Sequence, residues 1–264
     1  MASERMPVVF FGHGNPMHAL HRNTYTETWR RIGAAVRPRP RAILAVSAHW
    51  YTRGVGVTAM EQPPTIHDFG GFPQALFDIR YPAPGDPALA RSVRDLLAPV
   101  EVNLDTEWGL DHGTWSVLLH AFPEADIPVV QLSIDATQPP SFHYGLAKRL
   151  APLRDDDVLI VGSGNVVHNL RLMQRAGHAA PSDWALRFNE AVKENLRSGT
   201  HTALLDYHAL GEDARLSVPT PEHYLPLLYV IALQQPDESI VFPIDGIDMG
   251  SLSMLTVVIG MREP

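Results

Sequence analysis

Histidines stand at the ends of several predicted strands in this chain. The chain has 13 histidines among 264 residues, and three of them follow apolar runs. His13 follows "VVFFG", His49 follows "AILAVSA", and His168 follows "VLIVGSGNVV". Ligands of open α/β sheets bind beyond the carboxyl ends of the strands, so we expect these rings to lie close together. Because neutral imidazole is the commonest side-chain metal ligand, the spacing predicts a metal site.

Two further histidines lie in short motifs at predicted helix starts. His112 lies in "GLDHGTW", a loop that opens a helix, and His223 lies in "TPEHYLPLL", in the first turn of a helix after Pro221. Gly12 and Gly14 flank His13 and let the backbone turn sharply beside a ligand. Five histidines in such turns favour a shared site over five unrelated structural residues.

The composition narrows the chemistry of that site. The chain has no cysteine, which excludes disulfides and thiolate ligands, so a transition metal must use His, Asp or Glu.

The net charge is −8, from 21 basic and 29 acidic residues, which argues against a nucleic-acid partner. No apolar run approaches about 18 residues, so we predict no membrane span. The N-terminal segment lacks a signal-peptide pattern, and we expect a cytoplasmic protein.

Short apolar strands alternate with helical stretches along the chain. The strands are predicted over 7–11, 42–48, 55–60, 100–103, 127–134, 158–164, and within "SIVFPID" and "SLSMLTVVIG". The helices are predicted over 18–36, 86–98, 113–122, 141–151, 182–197 and 221–234. This alternation predicts one α/β domain over residues 1–264, with a central, mostly parallel mixed sheet covered by helices on both faces.

A loop rich in Gly and Pro, "EQPPTIHDFGGFP" (61–73), supplies candidates for a substrate pocket. We predict substrate contacts for His67, Asp68 and Phe69. Aromatic residues near the motif histidines are further pocket candidates, with Trp50 and Tyr224 foremost, followed by Tyr51, Phe72 and Trp115. The remaining histidines are interpreted as structural or exposed: His18, His21, His120, His143, His178, His201 and His208.

Six motifs, in order along the chain, resemble those of the class III extradiol ring-cleavage dioxygenases, DOPA 4,5-dioxygenase-like subgroup. They read "GHGNPM", "SAHW", "IHDFGGFP", "LDHGTW", "GSGNVVHNL" and "PEHYLPLL", and they span residues 12–228. The resemblance implies an extradiol dioxygenase-like catalytic domain that inserts O₂ into a catechol such as DOPA or caffeate. It further implies that the ring opens to a muconic semialdehyde-type product.

The resemblance also assigns roles to the motif histidines. It implies that His13, His49 and His223 bind one divalent metal ion. His168 is then either a fourth ligand or an acid–base residue beside the ion, and His112 is an acid–base group that faces the substrate. Many extradiol enzymes use two histidines and one carboxylate on iron(II), so Glu222 is the alternative to His223. Iron(II) is expected to support activity, whereas zinc(II) suits an all-histidine site and is expected in purified protein.

Two other functions use the same histidine cluster. One is a zinc-dependent hydrolase that activates a metal-bound water, and the other is a non-enzymatic metal-binding scaffold on the same fold. The expected partners of a dioxygenase are a small catechol and O₂, with neither nucleic acid nor membrane, and the sequence is compatible with a homo-oligomer.

Overall fold

The computed structural model describes residues 5–174 and 180–261, and His178 lies outside them. Its ten strands are β1 Val8–Gly12, β2 Ala42–Thr52, β3 Val55–Thr58, β4 Val102–Asp105, β5 Val129–Asp135, β6 Val158–Gly164, β7 Ile240–Ile244, β8 Ile247–Asp248, β9 Leu252–Ser253 and β10 Thr256–Ile259. Eight strands form one sheet in the order β4-β3-β5-β2-β6-β1-β10-β7, and β8 pairs with β9 in a separate hairpin.

The centre of the large sheet is parallel. Four neighbouring strands run in the same direction, in the order β5, β2, β6 and β1. Antiparallel pairs flank this block, with β3 against β5 on one side and β10 against β1 on the other. The predicted mostly parallel mixed sheet is therefore confirmed.

Helices cover both faces of the sheet. They are α1 Thr24–Ala35, α2 Gln74–Phe77, α3 Pro87–Leu97, α4 His112–Ala121, α5 Pro140–Lys148, α6 Pro152–Asp155, α7 Asp183–Arg197, α8 His201–Leu205, α9 Glu212–Ser217 and α10 Leu225–Ile231, with 3₁₀ turns at Pro16–Leu20 and Tyr207–Leu210. Residues of α1 and α4 bury one face of the sheet, and residues of α3, α5, α7 and α10 bury the other. None of the helices in the described parts of the chain has both the length and the apolar character needed to cross a bilayer.

The two-sided core explains why the central strands read as continuous apolar runs. Along β1, Val8 and Phe10 enter the core on the α5 and α10 side, whereas Val9 and Phe11 pack on the α1 and α4 side. Side chains of a strand alternate between faces, so both sets must be apolar when both faces are covered. Each such side chain contributes roughly 1.5–3 kcal/mol when fully buried.

Two predicted helices start later than the sequence pattern indicated. The stretch 18–36 is interrupted before α1, where the Asn23 side chain accepts from the Thr26 backbone N–H and Thr26 Oγ1 accepts from the Asn23 N–H. This reciprocal capping box fixes the start of α1. The helix expected from Pro221 begins only at Leu225, because residues 221–224 form a turn in which the Tyr224 N–H donates to the Pro221 carbonyl.

Candidate active site

Three adjacent parallel strands deliver histidines to one edge of the sheet. His13 directly follows β1, His168 lies four residues after β6, and His49 lies near the carboxyl end of β2. β2 continues to Thr52 instead of ending at residue 48, and its register against β5 is irregular between Val46 and Tyr51. Such irregularities re-aim side chains beside functional sites, and this one contains His49.

His13, His49 and His223 form a compact group of imidazoles. One ring nitrogen from each lies within 4.8 Å of the other two. The Nε2 atoms of His13 and His49 are 3.3 Å apart. Two ligands on a tetrahedral ion with bonds of about 2.0–2.1 Å are separated by about 3.3–3.4 Å, so the group fits one divalent ion.

The electrostatics of the group keep its rings uncharged. His13 and His223 are only 2% and 7% exposed. Burial, reinforced by the neighbouring imidazoles, lowers the pKa of both well below the ordinary value. Burial is also the main reason that the pKa of His49 falls to about 3. Neutral imidazole is the form that binds metals, so these rings are ready ligands near neutral pH.

Carboxylates lie on the outer sides of two of these rings. His49 Nδ1 is 3.4 Å from Asp68 Oδ2, and His223 Nδ1 is 3.2 Å from Glu222 Oε1. Glu222 Oε1 also accepts a hydrogen bond of 2.8 Å from Thr220 Oγ1. A carboxylate at Nδ1 orients a ligand histidine and leaves its Nε2 for the ion. Glu222 is thus placed behind His223 and outside the three-imidazole group.

His168 lies against this group without belonging to it. Its ring stacks on that of His223, with centroids 3.5 Å apart and planes 6° from parallel. The backbone holds it in place, because the His168 N–H donates to the Ser217 carbonyl and the residue bridges to Leu252. Burial lowers the pKa of His168 to about 4, so a neutral base lies beside the candidate ligands.

His112 approaches from the first turn of α4 and shares Asp68 with His49. The backbone N–H of His112 donates to Asp68 Oδ1 at 2.9 Å, and its Nδ1 is also 2.9 Å from that oxygen. The ring centroids of His112 and His49 are 3.8 Å apart. Burial alone would raise the pKa of Asp68, but the hydrogen bond and charge of His112, with His49, lower it. Asp68 therefore sits as a carboxylate between two imidazoles.

A cavity of about 640 Å³ opens onto these histidines. One wall consists of the five motif imidazoles. The rest is mainly apolar or backbone, and its side chains include Asn15, Phe69, Phe72, Leu170, Met173 and Met249. Small-molecule sites commonly have volumes of about 300–1,000 Å³ with a few convergent polar groups, so the cavity suits a compact ligand.

Comparison with known proteins assigns the chain to a family. Residues 6–237 match the family model described as the catalytic LigB subunit of aromatic ring-opening dioxygenase. This chain belongs to the LigB family. The resemblance inferred from the six sequence motifs is thereby confirmed.

Full-length relatives agree with the LigB assignment. The chain is 56% identical to the 4,5-DOPA dioxygenase extradiol of Escherichia coli K12, over 98% of this chain and 97% of the relative. It is 38% identical to the protein of the same name from Beta vulgaris, over 83% of each chain. The crystal structure of an uncharacterized E. coli K12 protein superposes with a TM-score of 0.84 at 50% identity, covering 96% and 99% of the chains. These relatives support the predicted class of enzyme, an extradiol aromatic ring-opening dioxygenase.

Two residues predicted to contact substrate lie elsewhere in this LigB-family chain. Trp50 is buried and stacks on Trp108, with centroids 5.7 Å apart and planes 2° from parallel. Because successive strand residues face opposite ways, it points away from the side chain of His49. Tyr224 is fully buried and donates its hydroxyl to the Leu204 carbonyl. Neither lines the cavity, so these two assignments are corrected.

The other pocket candidates lie on the cavity wall, in the layer behind it or, for Tyr51, away from the cavity. Phe69 and Phe72 line the cavity. His67 packs between Phe69 and Trp115, and its Nε2 lies 3.1 Å from the Ile79 carbonyl. His67 and Trp115 therefore support Phe69 from behind. Tyr51 is 37% exposed on β2 and does not line the cavity.

Sequence reasoning missed several wall residues that come from irregular segments. Met249 lies in the β8–β9 hairpin with φ +49°, a left-handed conformation uncommon outside glycine. Asn15 caps the first 3₁₀ turn by accepting from the Met17 N–H. Leu170 and Met173 follow His168 outside any helix or strand. No periodic pattern marks these positions. Asn15, Leu170 and Met173 lie close in sequence to His13 or His168, whereas Met249 has no motif histidine near it in the sequence.

Proposed function

We propose that this LigB-family enzyme opens the ring of a catechol-type substrate with O₂, at one metal ion held by His13, His49 and His223. The supporting observation is the group of three neutral imidazole nitrogens, within 4.8 Å of one another, at the wall of the cavity. The proposed catalytic domain comprises the whole of residues 1–264.

The proposed ion is iron(II) in the active enzyme. When bound, iron(II) supplies a Lewis acid for the two adjacent catechol oxygens and a redox-active centre for O₂. Zinc(II) suits the same neutral ligands and is proposed for protein purified without added iron. Zinc has no accessible second oxidation state, so the zinc form should bind catechol without consuming O₂.

The chain's own residues handle the protons. His168 is neutral near pH 7, because burial lowers its pKa to about 4, and it can accept the proton of a substrate hydroxyl. His112 faces the same cavity from the start of α4, and Asp68 holds it in place. We assign His168 as the base for the substrate hydroxyl and His112 as the group that donates a proton as the ring opens.

The apolar part of the cavity packs against the aromatic substrate. Phe69 and Phe72 form one side, and Leu170 with Met173 lies at another. These side chains exclude water and hold the ring so that its hydroxyls face the histidines. DOPA, caffeate or a similar catechol is the proposed substrate, since the relatives from E. coli K12 and Beta vulgaris are named as 4,5-DOPA dioxygenases. The product is a muconic semialdehyde-type compound that retains both oxygen atoms of O₂.

Oxygen uptake tests this function. Metal-free protein is loaded anaerobically with iron(II) or with zinc(II) and then given O₂ with DOPA, caffeate, protocatechuate or catechol. We expect the iron form to consume one O₂ per ring opened, with formation of a yellow product, and the zinc form to consume none. His21→Ala, which removes an exposed histidine outside the site, serves as the matched control. No uptake by the iron form with any of the four catechols would reject the proposal.

A further inference from the structure

A buried serine connects a candidate metal ligand to the helix that carries His112. Ser163 lies near the carboxyl end of β6 and is 1% exposed. Its Oγ is 2.9 Å from His13 Nδ1 and 2.5 Å from the carbonyl oxygen of Gly113, in the first turn of α4. The hydroxyl therefore bridges an imidazole and a backbone carbonyl.

The chemistry of the bridge fixes the direction of both hydrogen bonds. A carbonyl oxygen can only accept, and two oxygen atoms 2.5 Å apart require a hydrogen between them. The single hydroxyl proton of Ser163 must therefore point to Gly113. Oγ is then left with acceptor capacity alone toward His13, so His13 Nδ1 must carry the proton that it donates.

This tautomer leaves the lone pair of His13 at Nε2. That atom is the one that lies 3.3 Å from His49 Nε2, inside the candidate metal site. The opposite tautomer would place a proton between the candidate ligands and would leave two acceptors facing each other at Ser163. A partner at the remote ring nitrogen is the usual device that fixes the tautomer of a ligand histidine.

The partners of Ser163 are held by tight packing. A Cβ at Gly113 would lie 2.5 Å from Ser47 Oγ and 2.8 Å from His49 Cδ2, so α4 approaches β2 as closely as a glycine allows. The His13 N–H donates to the Gly164 carbonyl, which ties His13 to β6 beside the serine. The acceptor carbonyl and the donor ring thus have little freedom to turn away from Oγ.

We propose that Ser163 is a positioning residue that selects the Nδ1–H tautomer of His13 and so directs its Nε2 lone pair at the metal ion. This proposal rests on the metal site of the proposed function, but not on the reaction carried out there. Ser163 contacts neither the ion nor the substrate and acts through His13 and the α4 carbonyl.

Nitrogen NMR and zinc affinity test the assignment without an activity measurement. In metal-free wild-type protein labelled with ¹⁵N-histidine, we expect the His13 signals, identified by their loss in His13→Gln, to show a protonated Nδ1. Competition with a chromophoric chelator should show zinc binding weakened by about 10–100-fold in Ser163→Ala. Ser133→Ala is the matched control, because Ser133 is fully buried on β5 and bonds to Gly56 and Thr52, outside the site. Zinc affinity of this control should equal that of wild type.

Three results would overturn the proposal: a protonated Nε2 on His13 in wild type, unchanged zinc affinity in Ser163→Ala, or an equal loss in Ser133→Ala. The wild-type spectrum decides the tautomer even if Ser163→Ala does not fold. Wild-type protein that shows the expected tautomer and zinc dependence, yet consumes no O₂ when loaded with iron, would reject the proposed function and leave this inference standing.

Discussion

His13 and His49 face each other through their Nε2 atoms at 3.3 Å, although β6 lies between the strands that carry them. Burial keeps both rings neutral, since it lowers the pKa of each. Two nitrogen lone pairs at this distance repel unless a proton or a cation lies between them. The pair is therefore arranged for a shared cation, and His223 completes the set.

Loss of any one of the three imidazoles should greatly weaken metal binding. We expect His13→Ala, His49→Ala and His223→Ala each to bind zinc at least about 100-fold more weakly. Loss of a residue that only hydrogen-bonds to a metal ligand already lowers metal affinity by about 10–100-fold, and loss of the ligand itself should lower it further. His21→Ala should bind like wild type. Chelator competition checks this, and wild-type affinity in any of the three variants would remove that residue from the ligand set.

Metal binding should stabilise the folded chain. Free zinc at 100 times its Kd adds about 2.7 kcal/mol to the free energy of unfolding. For a chain of this size, that corresponds to a rise of about 5–10 °C in Tm. Thermal unfolding followed by circular dichroism measures the shift. The shift should persist in His21→Ala and vanish in His13→Ala; an equal shift in both variants would place the stabilising ion elsewhere.

His168 and His112 should be separable from the ligands by their effect on turnover. Because His168 stacks on His223 outside the three-imidazole group, His168→Ala should retain its iron and lose about 10²–10⁴-fold in kcat. His112→Ala should behave similarly. Metal analysis beside steady-state kinetics provides the check, and loss of iron from His168→Ala would make His168 a ligand.

Asp68 should position His49 and His112, although the sequence motif suggested that it contacts the substrate. Its carboxylate touches His49 and His112, so Asp68→Asn should lower kcat and weaken metal binding by about 10–100-fold. KM for the catechol, measured at saturating metal, should change little. A large rise in KM with unchanged kcat and metal affinity would instead show that Asp68 contacts the substrate.

Acid should destabilise the metal-free protein, partly through a histidine outside the site. His143 is fully buried, its Nδ1 lies 3.0 Å from the Tyr229 hydroxyl, and burial lowers its pKa to about 4. In the unfolded chain the His143 ring becomes protonated below about pH 6.5, whereas in the folded chain it becomes protonated only near pH 4. The stability contributed by the neutral ring is thus complete above pH 6.5 and is lost as the pH falls toward 4.

His143→Gln should therefore reduce the acid sensitivity of the metal-free protein. Between pH 7 and pH 4, we expect the loss in the free energy of unfolding to be smaller than in wild type by on the order of 3 kcal/mol. Urea unfolding at several pH values measures this, with the exposed His208→Gln as control. Parallel pH curves for wild type and His143→Gln would contradict the assignment.

The sequence predicted the features that follow from strand periodicity. The apolar run 158–164 matches β6, and the strand-end rule anticipated that His13, His49 and His168 would share one edge of the sheet. Both succeed because burial on two faces requires continuous apolar strands, and parallel strands end at the same edge.

The contacts between side chains could not be predicted in the same way. The prediction ended β2 at residue 48, so it could not assign Trp50 to the face opposite His49. Asp68 lies in a loop without periodicity, and its position between two imidazoles depends on packing against α4. The stacking of His168 on His223 joins segments that follow β6 and precede α10, a relationship that only the folded chain defines.

Anomalous diffraction from anaerobic crystals loaded with iron(II) tests the central claim most directly. Data collected on both sides of the iron absorption edge locate the ion independently of any assumed ligand. We predict one strong peak about 2.0–2.2 Å from ring nitrogens of His13, His49 and His223. We also predict that His168 lies outside bonding distance, stacked on His223. A peak bound instead by Glu222, or by His49, Asp68 and His112, or the absence of a peak at this edge of the sheet, would contradict the account.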